Sequence, residues 1–589
     1  MQKAAVYHRP DSAMAYLKDK NTVQIRLRLK HRDVLGVELL YADPYAIQAA
    51  DGLWHPEVIA MKCLYQSVVA DYWLAEFSLP ANRRLEYAFH LLGPEGEEYI
   101  YDDRKLRPYT ADCLKHVAPF KLPYFATDDV LETPKWARSV VWYDIFLDSF
   151  ANGDTKNDHE STLEWDSQEA NETSFFGGDL QGVIDRLDYL QELGVNGLYL
   201  GALFVAYSNH KFDPIDFYSL DPTFGTKEKL KELILQAHQR GMKVMIDGVF
   251  HHVGDFSLQW QDVKRYGRQS RFADWFLIHD FPPHYVPTDN PHIAKSLSYE
   301  VFANNPHLPK LNTKNPAVKD YLLQVARYWL ENFDIDAWHL SCADEVDHEF
   351  WHEFYRQAKR IKPDVCLLGQ VKQDASSRIE RREFDGTTNE ALMGILRDYF
   401  IEHEIPLAEM IHSLNEQLMK YRDQNNQVML NALDNRNTLR LLAQCGDDAQ
   451  LLRALLAFVF MQPGMPCLYY GTEIGLSGTQ PFANRNCMKW NKEQQDETMH
   501  RFVKLLISFR RRYSDLLTQG SLEWGQCNSK FDFLSFTRTL GNRKIFALFN
   551  MGYGSVKFVL PKNAKLILSQ NLLEDQHRVG QNGFVIIEA

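Results

Sequence analysis

Paired cysteines are the first absence. The eight Cys of this 589-residue chain stand singly, at Cys63, Cys113, Cys342, Cys366, Cys445, Cys467, Cys487 and Cys527. With no C-x-x-C pair and no His/Cys cluster, neither a disulfide framework nor a zinc site is indicated. No apolar run is long enough to cross a bilayer. Positive charge is short as well: 65 Lys and Arg face 78 Asp and Glu, a formal net charge of −13. That balance disfavours nucleic acid and anionic membranes as partners, since both select basic patches. The opening MQKAAVYHRPD lacks the apolar stretch of a secretory leader, so a cytoplasmic location is the expectation.

What is present is an ordinary globular composition, 45% hydrophobic and 24% charged, slightly rich in aromatic rings at 13%. Such rings suit sugar binding, because pyranose C–H faces stack on flat surfaces, but a large core explains them equally well. The first ~120 residues alternate apolar and polar positions in short runs such as TVQIRLRL and LEYAFHLL, the pattern of an antiparallel β-sandwich. A polar stretch between Pro123 and Pro134 suits a linker. From Ser139 the rhythm becomes strand, loop, helix: SVVWYDIF, then LQGVIDRLDYLQELG, VNGLYL, KEKLKELILQAHQRG and MKVMIDGVF. Repeated βα units with apolar strands predict a parallel sheet covered by helices, either a closed (β/α)8 barrel or a doubly wound sheet. The stretch from about 253 to 315 is too long for a plain βα loop and reads as an inserted subdomain. Alternation returns after about Tyr513, in FDFLSFTRT and RKIFALFNM, and predicts a terminal β-sandwich.

Several segments carry a specific resemblance. FDIDAWHLSCADEVDHEFW, CLLGQVKQDA, LNALDNRNTLR, TSFFGGDLQG, SNHKFDPIDFYSLDPTFG, LPKLNTKNPAVK and PCLYYGTEIG occur in one order along the chain, after AVYHRP near its start. Together they resemble the neopullulanases, cyclomaltodextrinases and maltogenic amylases of glycoside hydrolase family 13. The resemblance implies a multidomain chain whose centre is a (β/α)8 TIM barrel. An N-terminal carbohydrate-binding-like sandwich is expected over residues 1–122, the barrel over 123–512 and a C-terminal sandwich over 513–589. It also implies a homodimer, with the N-terminal sandwich over the partner's barrel mouth, and a maltooligosaccharide or related glucan as ligand.

Against that pattern three carboxylates are missing. Where the family carries its nucleophile Asp, its acid/base Glu and its transition-state Asp, this chain carries Ser341, Gln370 and Asn437. A retaining glycosidase needs two carboxyl groups about 5–5.5 Å apart. A serine hydroxyl without a base is a weak nucleophile, and an amide can neither donate that proton nor supply negative charge. His339 also replaces an Arg, Arg436 a His and Lys372 a Trp, changes that an inactivation design would not need. The expectation is a catalytically silent relative that binds glucan or acts by assembly. The alternative is an active hydrolase or transglycosylase using rearranged groups, with Asp344, Glu345, Asp434 and Glu473 as the carboxylates to examine, each more simply read as structural. Asp247, His252, Phe212, His210, Glu345, Arg436 and Arg440 match substrate-contacting positions. Arg436 and Lys372 either create a cationic cavity suited to an anionic sugar or fold into the empty site and pair with Asp247 or Asp434.

A calcium loop is the remaining implication. Asn152, Asp154, Asn157 and Asp158, with Gly177 and Asp179 further on, resemble the family's structural calcium site and offer the hard oxygens that ion requires. Taken without the later GGD, the string reads as a solvated Asn/Asp/Gly loop.

Overall fold

A computed structural model describes residues 1–45, 53–110, 112–559, 564–574 and 577–589. The N-terminal domain packs two antiparallel sheets face to face, one ordered 15–19, 22–30, 70–78, 62–66 and the other 57–60, 36–42, 85–92, 98–101, 106–108. Val23, Ile25, Leu27 and Leu29 alternate into the shared core against Leu39, Phe89 and Leu91. Simple alternation would leave the opposite face in water, yet Gln24 and Arg26 are each only 2% exposed. That face lies on the barrel: the Arg26 guanidinium donates to Asp423 Oδ1 at 2.6 Å and to the Tyr421 carbonyl at 2.9 Å.

The central domain is a parallel barrel. Its strands, numbered here as barrel strands, are β1 (Trp142–Asp144), β2 (Gly197–Tyr199), β3 (Lys243–Gly248), β4 (Ala337–Leu340), β5 (Cys366–Gly369), β6 (Gly386–Thr387), β7 (Leu430–Ala432) and β8 (Met465–Tyr469). They pair in the order β6-β5-β4-β3-β2-β1-β8-β7, and a parallel bridge between Thr388 and Leu430 closes the ring. Closure selects the barrel over the doubly wound sheet. Trp142, Met245, Cys366, Leu368, Leu430 and Met465 fill the interior below the mouth.

The covering helices follow the predicted periods. The longest, Pro316–Phe333, starts with Asn315 accepting from Ala317 N at 2.8 Å and has Pro at its first position. It buries Val318, Leu322, Val325, Trp329 and Phe333 on one face and stops where Asp334 turns to φ 53°. The single helix expected over LQGVIDRLDYLQELG is two, Leu180–Asp185 and Leu187–Leu193, broken at Arg186. There the guanidinium lies over the Trp490 ring, 4.1 Å from its centroid. The inserted stretch folds around Trp260, Phe276 and Tyr299 and lends Phe302 to the barrel mouth. The C-terminal domain is a six-stranded antiparallel sheet, with Phe536, Phe549 and Phe584 turned to the barrel helix carrying Phe458.

Candidate functional site

The carboxyl ends of the barrel strands deliver the site. Register places Asp144 beside Tyr199 and Asp247 beside His339. Above them opens a cleft of about 500 Å3, lined by His210, Phe212, His252, Phe302, His339, Ser341, Gln370, Lys372, Asn435, Arg436, Asn437 and Arg485 among others. All three residues that replace the carboxylates therefore face one cavity.

Arg436 governs it. Its guanidinium is 4% exposed and ion-paired with both Asp144 and Asp247, the latter at 3.3 Å. It lies 4.9 Å from the Tyr199 ring centroid and 5.6 Å from that of Phe212. Room for it comes from Gly201, at φ 70°, where an added Cβ would stand 2.0 Å from Arg436 Nη1. So the long side chain folds into the site and pairs with Asp247, as one of the two readings anticipated. The second partner is Asp144 rather than Asp434.

The polar groups around Asp247 are satisfied by each other. His339 Nδ1–H donates to Asp247, and its Nε2 meets the Thr388 hydroxyl at 2.9 Å. Tyr199 and Ser341 hydroxyls also donate to Asp247, at 2.9 and 3.1 Å. Burial opposes the charged form of Asp247, but His339, Arg436 and Tyr199 together hold its carboxyl below the ordinary range. Burial pushes Asp144 up to about 6, against the pull of Arg436. For Arg436 burial opposes the charge, yet Asp144, Tyr199 and Asp247 raise its pKa.

The other expected site residues divide. His210, Phe212 and His252 line the cleft; burial lowers the two imidazoles to about 3 and about 4, so both are neutral bases at pH 7. Arg440 is fully buried in the wall, donating to the Tyr470 carbonyl and sandwiched by Tyr469 and Tyr470 at 4.3 and 4.4 Å. Glu345 is exposed and paired with Lys310. Asp344 accepts from Lys372 N at 3.4 Å, and Asp434 is buried, accepting from Leu441 N at 2.9 Å. Glu473 is pinned by the Tyr143 and Tyr189 hydroxyls at 2.7 and 2.6 Å. Asp144, Tyr199, Thr388, Glu390 and Arg485 also line the cleft without having been anticipated. Apart from Thr388 and Glu390, they lie far apart in sequence and are joined by barrel closure.

In the proposed calcium loop the Oδ1 atoms of Asn152 and Asn157 are buried without partners, beside Asp158, as metal-directed oxygens would be. Gly177, at φ 78°, keeps the space open: an added Cβ would stand 2.4 Å from both Asn152 Nδ2 and Asp158 Oδ1. Asp179 is differently engaged, accepting from the N–H groups of Gly153, Asp154 and Gly182 and from Asn157 Nδ2. Asp154 takes the Lys156 N–H at 3.2 Å. Among the described residues no group of three or more His, Cys, Asp or Glu is placed to hold a metal. The amide oxygens and Asp158 fit the ion; Asp179 is spoken for by the backbone.

Comparison with known proteins agrees with this architecture. Residues 144–514 match the α-amylase catalytic domain and residues 1–126 the α-amylase N-terminal Ig-like domain. An intracellular maltogenic amylase of Bacillus subtilis (strain 168) is 43% identical over 94% of this chain and 92% of its own length. A cyclomaltodextrinase of Geobacillus thermopakistaniensis is 38% identical over 97% and 95%. The solved structure of a cyclomaltodextrinase superposes with a TM-score of 0.88 at 34% identity, covering 100% of this chain and 98% of that one. The chain belongs to the α-amylase family, glycoside hydrolase family 13, and stands with its maltogenic amylases, cyclomaltodextrinases and neopullulanases of α-glucan metabolism.

Proposed function

We propose that this chain binds a maltooligosaccharide or related α-glucan without hydrolysing it. One observation carries the reading: a guanidinium, Arg436, sits at the barrel mouth between Asp144 and Asp247. The guanidinium neutralises both carboxylates, so neither is left to stabilise an oxocarbenium-like transition state, which requires negative charge. Its two carboxylate partners are consumed in holding it. Ser341 donates to Asp247 rather than being activated by a base, and Gln370 and Asn437 offer only amide hydrogen bonds. The working-hydrolase alternative needs two free carboxyl groups at catalytic spacing. The carboxylates lining the cleft are Asp144, which is ion-paired, and Glu390.

Purified protein should release no sugar above background from cyclodextrin, pullulan or a chromogenic α-glucoside, while calorimetry detects maltooligosaccharide binding. Turnover that persists through repeated purification would overturn the reading. Restoring S341D, Q370E and N437D together should recover little, because Arg436 still occupies the site.

Three further assignments belong to this reading. A calcium ion held by Asn152, Asn157 and Asp158, with nearby backbone carbonyls, would be structural. The N-terminal domain supports a homodimer. An intracellular setting accords with the name of the Bacillus subtilis relative.

A further inference from the structure

Buried arginines in this fold are normally paid for. Arg26 has the Asp423 carboxylate and Arg436 has two. Arg510 donates to the carbonyls of Phe460, Gln462 and Gly464, and Arg538 to those of Met461, Gly520 and Ser521. Arg485 breaks the pattern. It is 7% exposed, and among the described residues its one side-chain hydrogen bond runs from Nε to the Arg436 carbonyl at 3.3 Å. Among the described residues Nη1 is buried with no partner, and no carboxylate oxygen lies within ion-pair distance. The Phe146 and Phe482 rings, 5.4 and 5.3 Å from the guanidinium carbon, give it walls rather than a counter-charge. Unlike Arg440, which is also short of partners but sealed in the wall, Arg485 borders the cleft.

The charges around it are engaged elsewhere. Asp144 and Asp247 are taken by Arg436. Glu172 is paired with His292 at 3.2 Å. Glu390, the other carboxylate lining the cleft, follows β6, two strands from β8, and stands beside the strand whose end carries the Lys372 ammonium. Neighbouring His210 is held neutral by burial and by Arg485 itself. A desolvated guanidinium without a counter-ion is costly, and a neutral sugar hydroxyl does not cancel its charge. A phosphate ester or carboxylate does, through parallel N–H···O bonds.

We propose that the cleft takes an α-glucan bearing an anionic substituent, a phosphate ester or a uronate, with Arg485 holding the acid group. The inference rests on the glucan-binding reading and adds the class of sugar. It also relocates the cationic feature, because Arg436 is neutralised within the protein and Arg485 is not.

Calorimetry on the full chain tests it with three probes: maltose, maltose 1-phosphate and maltose oxidised to a terminal uronic acid. At least one charged sugar should bind about tenfold or more tightly than maltose at low salt, with the advantage shrinking as salt screens it. Which of the two shows the preference identifies phosphate or carboxylate as the group recognised. R485Q should erase the preference and, because it removes an uncompensated buried charge, should not lower the melting temperature. Equal or tighter binding of maltose, a preference indifferent to salt, or a preference surviving R485Q would overturn the inference. Should R485Q fail to fold, the selectivity and salt dependence of the unaltered protein decide alone. Maltose binding without any preference defeats only this inference; no binding of any probe defeats the glucan-binding reading with it.

Discussion

At the residue scale the altered chemistry is a set of mutually dependent positions. Gly201 must lack a Cβ for Arg436 to lie where it does, and its φ of 70° adds a second reason. G201A should therefore lower unfolding free energy by about 2 kcal/mol, measured by denaturant titration. R436A leaves Asp144 and Asp247 buried without their cation and should cost about 3–5 kcal/mol; a smaller loss would mean that water replaces the guanidinium. Asp434 gives a pH test. Burial raises its carboxyl to about 6, above the unfolded value, so the folded state binds more protons and stability falls as pH rises from about 4 to about 6. D434N should flatten that fall by about 2–3 kcal/mol across the window, read from unfolding curves at each pH. Ser341, Gln370 and Asn437 were legible in the sequence because each lies inside a segment that keeps its place in the order of motifs along the chain, despite the further changes at His339, Lys372 and Arg436. Asp144, Gly201 and Arg485 were not, since their significance is a contact with residues on other strands.

At the element scale the sequence was most legible where one periodicity runs unbroken. The helix over 316–333 carries its start, Asn315 before Pro316, and its apolar face in local sequence. The break at Arg186 could not, and the ring that its guanidinium meets there belongs to Trp490, some 300 residues on and reached only in the folded state. The sandwich strand 22–30 shows the same limit: alternation marks the core face, while Gln24 and Arg26 are buried by a separate domain. The loops 152–158 and 177–179 join through Asp179, which also caps the helix Leu180–Asp185 by accepting from Gly182 N at 2.7 Å. If calcium fills the space beside Asn152 and Asn157, it ties these loops together further and is absent from the unfolded chain. Chelation should then lower the melting temperature, and added calcium should restore it. N152A with N157A should abolish that response, while D179A lowers stability whether or not calcium is present. A melting curve indifferent to chelator in the unaltered protein would remove the ion from the account.

At the scale of the whole molecule, the N-terminal domain has already committed one of its two sheets. The face bearing Gln24, Arg26 and Arg28 is held to its own barrel by Asp423 and Glu416, and the nearby Glu380 takes Arg9. Only the other sheet is left to meet a second copy. Its described edge strand, 57–60, pairs along one side with 36–42 and carries Val58 at 55% exposure. Among the described residues nothing pairs with its other side, and an edge with an exposed β-branched residue is a place where a partner gains backbone hydrogen bonds and apolar contact together. A two-fold arrangement lets the same surface serve both copies. Light scattering at micromolar concentration should give a mass near twice 68.5 kDa. V58D, which sets a charge on that strand without touching the barrel, should shift the mass toward one chain and leave the melting temperature of the dilute protein unchanged. Monomer alone in the unaltered protein would refute the pairing. A dimer that V58D leaves intact would place the contact elsewhere on the molecule, and the committed sheet could not then supply it without first releasing Arg26 from Asp423.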